Sequence, residues 1–141
     1  MSLDHSPDVR TLAAAHPERA EWYRCRPWIE DALVYAGGTH TIEDIEEGIG
    51  NGNFQFWSGP KCAVVTAITD YPRQRVMNYF LIGGDLKELH DFIEPRVTHW
   101  AFYEQNCDRV IGIGRKGFER VFADSGFRHG WTFIVKDRPV Q

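Results

Sequence analysis

The chain is poor in the residues that build the commoner small-protein sites. It has 3 cysteines in 141 residues, and Cys25, Cys62 and Cys107 lie far apart with no CxxC pair. An odd, scattered set does not make a disulfide framework or a cysteine zinc site, and suits thiols packed as small apolar groups in a reducing compartment. Nor do the histidines show HxxxH spacing, so no metal is expected. No apolar run approaches the roughly 18 residues of a membrane span, and the opening MSLDHSPDVR has no apolar stretch for a signal peptide. The expectation is a cytoplasmic protein with no membrane partner. Positive charge is scarce as well: 16 Lys and Arg stand against 20 Asp and Glu, a net charge of −4. Nucleic-acid binding draws most of its affinity from neutralised phosphates. The nearest basic cluster, Arg19, Arg24 and Arg26, is interleaved with Glu18 and Glu21. It reads as a solvated face, and no nucleic-acid partner is expected.

The chain is rich in aromatic side chains, with 9 Phe, 5 Trp and 5 Tyr, and 43% of its residues are hydrophobic. That length and composition suit one domain with a real core. Residues 1–20, interrupted by Pro7 and Pro17, read as weakly ordered. The domain is expected over 21–141, its core beginning near Trp22. Trp22, Trp28, Phe54, Phe56 and Trp57 suit either a filled core or an apolar docking surface.

Local patterns set the element order. Pro27, followed by Glu30 and Asp31, reads as the start of a helix that Gly37-Gly38 stops. Thr41 with Asp44 three residues on reads as an N-cap for a short helix from Ile42 to Gly48. Gly50-Asn51-Gly52-Asn53 marks a turn. Three strands follow, at Phe54–Trp57, Cys62–Thr69 and Val76–Ile82, the last almost wholly apolar and so covered on both faces. Gly83-Gly84-Asp85 opens a long helix. Its stripe comprises Leu86, Leu89, His90, Ile93, Val97, Trp100 and Glu104, and Pro95 should kink or divide it. Asn106-Cys107-Asp108 ends it. Val110–Ile113 is a fourth strand, Lys116–Ser125 a short helix capped by Gly126, and Trp131–Val135 a last strand. The tightly connected strands should be antiparallel, and the unit from Val76 to Ile113 should be a right-handed parallel crossover.

In this order, and in the Gly126-Phe127 that closes the short helix, residues 22 to 137 resemble the GNAT superfamily of N-acetyltransferases. The resemblance implies an α/β fold with a mixed sheet: antiparallel strands, a strand-helix-strand crossover, and a terminal helix and strand. A looser likeness is to the small GNAT-like proteins of tailed phages and prophages, including virion proteins.

The resemblance also implies where acetyl-CoA would sit. In the family, a glycine-rich turn of the form Q/R-x-x-G-x-G/A presents backbone N–H groups to the pyrophosphate at the start of the long helix. Here the matching stretch is Ile82, Gly83, Gly84, Asp85 and Leu86. It is short, lacks Arg or Gln, and puts a carboxylate where the pyrophosphate would lie. The simpler reading is a tight turn with Asp85 as N-cap. Pantetheine enters where the two parallel strands splay, and Arg115 and Lys116 stand at that mouth, free for an anion or paired with Glu119. The tyrosine that often protonates the departing thiolate falls on Phe122, and the family's usual Asn gives way to Arg115. For a base that relieves the amine of its proton, the strand offers Tyr79 and Asn78. Asp70 could face the same cleft, or merely make the turn Asp70-Tyr71-Pro72. His90 reads as a core or rim residue, and His99 faces solvent.

Two functions compete. One is a GNAT-like protein whose acetyl-CoA site has degenerated and which serves as a phage or prophage binding or virion component, with other virion proteins as partners. The other is an active acetyltransferase that uses acetyl-CoA to acetylate a small amine or a protein amine. The short acidic turn, Phe122 and the missing base favour the first.

Overall fold

The computed structural model describes residues 17–112, 118–130 and 134–140. Helix α1 runs Pro17–Leu33, so residues 17–20, expected to be weakly ordered, are already helical. Pro27 does not start this helix but lies inside it, on an exposed position. A proline within a helix removes a hydrogen bond and costs about 3 kcal/mol. The stripe Trp22, Cys25 and Ile29 spans it, and all three are fully buried. Packing of that stripe outweighs the local penalty.

Helix α2, Ile42–Asn51, begins as its sequence implies. Thr41 Oγ1 accepts from Asp44 N at 3.2 Å, and Asp44 Oδ2 accepts from Thr41 N at 2.8 Å, which closes a capping box. The helix runs past Gly48 and takes in the first half of the expected turn, ending on Gly52 in the left-handed conformation.

The strands are β1 Phe54–Ser58, β2 Cys62–Asp70, β3 Arg75–Gly84 and β4 Arg109–Gly112. They form one four-stranded sheet in the order β1-β2-β3-β4. β1, β2 and β3 pair antiparallel, and β3 pairs with β4 in parallel, as the crossover requires. Within β3, Tyr79 faces Thr66 and Leu81 faces Val65, which leaves Phe80 without a partner in β2. This bulge shifts the alternation of side chains by one residue. Before it, Met77 and Tyr79 enter one core; after it, Leu81 enters the other.

The two cores lie on opposite faces of the sheet. α1 and α2 cover Ala63, Val65 and Leu81 with Trp22, Cys25, Ile29 and Ile45. The long helix, α3, covers Cys62, Val64, Met77 and Tyr79 with Leu89, Ile93, Val97 and Ala101. α3 is α-helical over Leu86–Glu88 and Glu94–His99, and π-helical over Leu89–Ile93 and Trp100–Glu104. Pro95 therefore does not split it. The turn before the proline widens instead, and the Glu94 N–H reaches back to the Leu89 carbonyl. Widening relieves the crowding a proline ring imposes on the preceding turn.

The buried stripe Leu89, Ile93, Val97 and Ala101 repeats every four residues. On a regular helix of 3.6 residues per turn such a repeat drifts by about 40° per step, and the π turns absorb that drift. Ala101 takes the place expected for Glu104, which is exposed. Asn106, at φ 55°, ends the helix, and the Cys107 N–H reaches the Ala101 carbonyl at 2.8 Å.

After β4, helix α4 covers Phe118–Phe122 and continues as a 3-10 turn, Ala123–Ser125, to a left-handed Gly126. Ile113, Lys116 and Gly117 lie outside the described residues. So do positions 131–133 of the expected last strand. The rest of that strand, Ile134 and Val135, is in no strand and is exposed. Strand composition alone does not make a strand at these two positions.

Candidate functional site

Among the described residues the β3–β4 ladder pairs Val76–Tyr79 with Arg109–Gly112. β3 runs on to Gly84, and among the described residues that stretch has no strand beside it on the β4 side. That stretch, open on this side among the described residues, leads into the start of α3. It brings together Ile82, Gly83, Gly84, Asp85 and Leu86.

The glycines of the turn face protein. A Cβ at Gly83 would run into the Trp28 backbone carbonyl, and one at Gly84 into the Lys61 carbonyl and, at 2.7 Å, Cys62 Cα. Gly84 also sits at φ 90°, where a side chain is strained. The turn is tied down further by Asp85 N donating to Lys61 O at 2.7 Å, and by Lys61 N donating to Glu88 Oε2 at 2.7 Å. Asp85 is the N-cap of α3. Its Oδ1 accepts from Lys87 N at 2.9 Å and from Glu88 N at 3.3 Å. Helix N-termini bind anions through N–H groups left free by the first turn. Here the Asp85 carboxylate already occupies two of them.

Between α3 and α4 the space holds aromatic rings. Phe122 is 8% exposed. Its ring centroid lies 5.8 Å from His90 and 5.8 Å from Phe127, and Phe127 lies 6.5 Å from Tyr79. A continuous run of rings thus joins α3, α4 and β3 at the end of the ladder. Phe122 is part of the core and carries no proton to give.

Tyr79 is buried beneath α3. Its hydroxyl makes no hydrogen bond among the described residues. The nearby Thr98 hydroxyl donates instead to Glu94 Oε1 at 2.7 Å. Burial first, and then the negative charge of Glu94, push the Tyr79 hydroxyl well above the usual tyrosine range. At neutral pH it is a protonated phenol, not a base. Alternation puts Asn78 on the α1–α2 face, where its buried Oδ1 has no partner among the described residues.

Asp70 does not reach the opening. It pairs in register with Arg75 at the start of β3, and both its oxygens lie 2.8 Å from one Arg75 guanidinium nitrogen. From there β3 travels roughly 30 Å to the turn, at about 3.3 Å per residue. Asp70 thus sits at the β2–β3 hairpin, at the other end of β3 from Gly83-Gly84. Arg115 and Lys116 lie outside the described residues.

His90 is a rim residue, its side chain 22% exposed, but its partners were not legible in the sequence. Nδ1 lies 2.8 Å from Asp91 and Nε2 lies 2.6 Å from Asp124. Hydrogen bonds to Asp91 first and Asp124 second hold its pKa above the ordinary histidine value. Asp124 is 34 residues away along the chain, and no local pattern announces such a meeting.

The three cysteines are free and buried. Burial pushes Cys25 up to about 11, and burial with Glu88 beside it pushes Cys62 up to about 12. Thiols held so far from ionisation are packing groups rather than nucleophiles. Among the described residues no three His, Cys, Asp or Glu side chains group as metal ligands, and no helix is long and apolar enough to cross a membrane.

No family model matches the chain, and no curated protein matches it. Among solved structures it is similar to a predicted acetyltransferase from Clostridium acetobutylicum, crystallised with acetyl-CoA. The TM-score is 0.51 and the identity 11%, over 92% of this chain and 90% of that one. The fold is GNAT-like. At that identity the likeness is one of fold, and function has to be argued from the site.

Proposed function

We propose that this is a GNAT-like protein whose acetyl-CoA site has lost its competence, and that it works as a non-catalytic binding component. The observation that carries the reading is the Asp85 cap. Its carboxylate takes the Lys87 and Glu88 N–H groups at 2.9 and 3.3 Å, and it sets a negative charge where a pyrophosphate would have to lie. The aromatic fill around Phe122 supports the same reading, because it occupies the space beside the end of the ladder. The unit acts as one domain over 21–141, cytoplasmic or virion-associated. Its setting is that of the phage and prophage GNAT-like proteins it resembles, with other virion proteins as partners.

Calorimetric titration with CoA and acetyl-CoA tests this. The expected result is no saturable heat below about 1 mM, equivalent to about −4 kcal/mol. A micromolar constant, about −8 kcal/mol, would overturn it.

A second reading is supported by the bulge at Phe80. On that reading the opening admits acetyl-CoA and the chain acetylates a small amine or a protein amine. Ile82, Gly83, Gly84, Asp85 and Leu86, with Arg115 and Lys116, would hold the cofactor. A binding constant in the micromolar range, followed by release of free CoA thiol in the presence of amines, is what this reading requires.

A further inference from the structure

α3 and the end of α4 meet at one imidazole. His90 Nδ1 lies 2.8 Å from Asp91 Oδ1, and Nε2 lies 2.6 Å from Asp124 Oδ1. Asp91 is its chain neighbour and is also held by Lys87 Nζ at 2.8 Å. Asp124 belongs to the 3-10 turn that closes α4. Ser125 Oγ lies 3.3 Å from the same Nε2.

Serine, histidine and aspartate in that order suggest a nucleophile and its base. The distances argue otherwise, because Asp124 is closer to Nε2 than Ser125 is. While an imidazole with a carboxylate on each nitrogen is doubly protonated, it has no lone pair to receive a serine proton, and two carboxylates favour that form. The arrangement fastens rather than reacts, and what it fastens is α4. Phe122, two residues before Asp124, rests against the same ring at 5.8 Å and passes the contact through Phe127 to Tyr79.

We infer that His90 is a pH-sensitive clamp that ties α3 to α4 through Asp124 and so keeps Phe122 and Phe127 packed across the end of the β3–β4 ladder. This rests on reading the space between α3 and α4 as a closed cleft, and it names what keeps that cleft closed. A neutral imidazole has only one N–H to donate. Its other nitrogen then turns a lone pair toward a carboxylate, and at these distances an attraction becomes a repulsion. Asp91 is tethered as the next residue and by Lys87, so the contact free to part is the one to Asp124.

Among the described residues the charged groups facing His90 are Asp91 and, through it, Lys87 on α3, and Asp124 from the α4 side, with Ser125 as a neutral neighbour. The histidine pKa is raised in the folded protein. Its contribution is therefore whole below the unfolded value near 6.5 and is lost as pH climbs through the higher folded value. The clamp is closed in acid and opens on the alkaline side.

Hydrogen–deuterium exchange tests this without any ligand. Protection factors, corrected for the intrinsic pH dependence of exchange, are followed from about pH 6 to about pH 9. In the wild type the amides of Phe118–Ser125 should lose protection roughly tenfold or more, while those of α2 hold theirs. Asp124 is exposed, with 74% side-chain accessibility, so its variants should fold. Asp124→Ala should leave α4 poorly protected at every pH. Asp124→Asn keeps an acceptor but not the charge, and should move the loss to lower pH. A flat profile in the wild type, or a wild-type profile in Asp124→Ala, would overturn the clamp. Because no CoA is present, that failure would leave the reading of the acetyl-CoA site to calorimetry.

Discussion

On the α1–α2 face of the sheet, Trp22, Cys25, Ile29 and Ile45 close on Ala63, Val65 and Leu81. The buried carboxylate there, Glu46, has Arg26 at 3.2 Å, and Trp22 and Phe56 meet edge to face at 5.1 Å. On the α3–α4 face the helix is interrupted by two π turns. Glu94 is buried with only the Thr98 hydroxyl bonded to it among the described residues, the Tyr79 hydroxyl has no partner there, and His90 is caught between two carboxylates. Each face has its departures from local rules: on the first, Pro27 inside α1 and the buried Trp22 Nε1 and Asn78 Oδ1 with no partner among the described residues; on the second, the two π turns of α3 and the Tyr79 hydroxyl. What differs is their kind: the first face is irregular at single buried atoms and one proline, the second along the path of α3 itself. π turns of this kind are often found at functional sites.

Substitutions can break or sharpen that contrast. Trp22→Ala should cause the largest loss, about 5 kcal/mol, as a fully buried large side chain on the α1–α2 face. Phe122→Ala should cost about 3 kcal/mol if the α3–α4 face is equally filled, and Phe122→Tyr should also destabilise, since its hydroxyl enters the ring cluster. Thermal melts measure both. A mild Phe122→Ala with a neutral Phe122→Tyr would mean that an open cleft persists. Tyr79→Phe carries the smallest effect and the opposite sign. Removing an unpartnered buried hydroxyl should stabilise by about 1 kcal/mol, and a clear destabilisation in the same melts would show that the hydroxyl has a partner after all.

Much of this architecture was legible locally. The parallel crossover followed from an apolar run, a long helix and a second short run; the Thr41 capping box and the left-handed Gly126 followed from residue type and spacing alone. What was not legible depended on distant partners. Pro27 reads as a helix start until the stripe Trp22, Cys25 and Ile29 is seen buried on both sides of it. Trp131–Val135 has strand composition, yet its described residues Ile134 and Val135 lie in no strand. At the candidate site, the Asp85 cap was visible in the order Gly83-Gly84-Asp85, and Phe122 in its distance from Gly126. The place of Asp70, at the far end of β3, needed the register of the hairpin. His90 needed Asp124, which only the packing of α4 brings to it.

The proposed function turns on whether the start of α3 can give its N–H groups to an anion while Asp85 holds those of Lys87 and Glu88. Amide chemical shifts of 15N-labelled protein, followed during titration with acetyl-CoA, read those groups directly. The account predicts that the Lys87 and Glu88 amides stay in place up to millimolar ligand. A saturable shift of both, with an apparent constant in the micromolar range, would show that the ligand displaces the Asp85 carboxylate, and would contradict it.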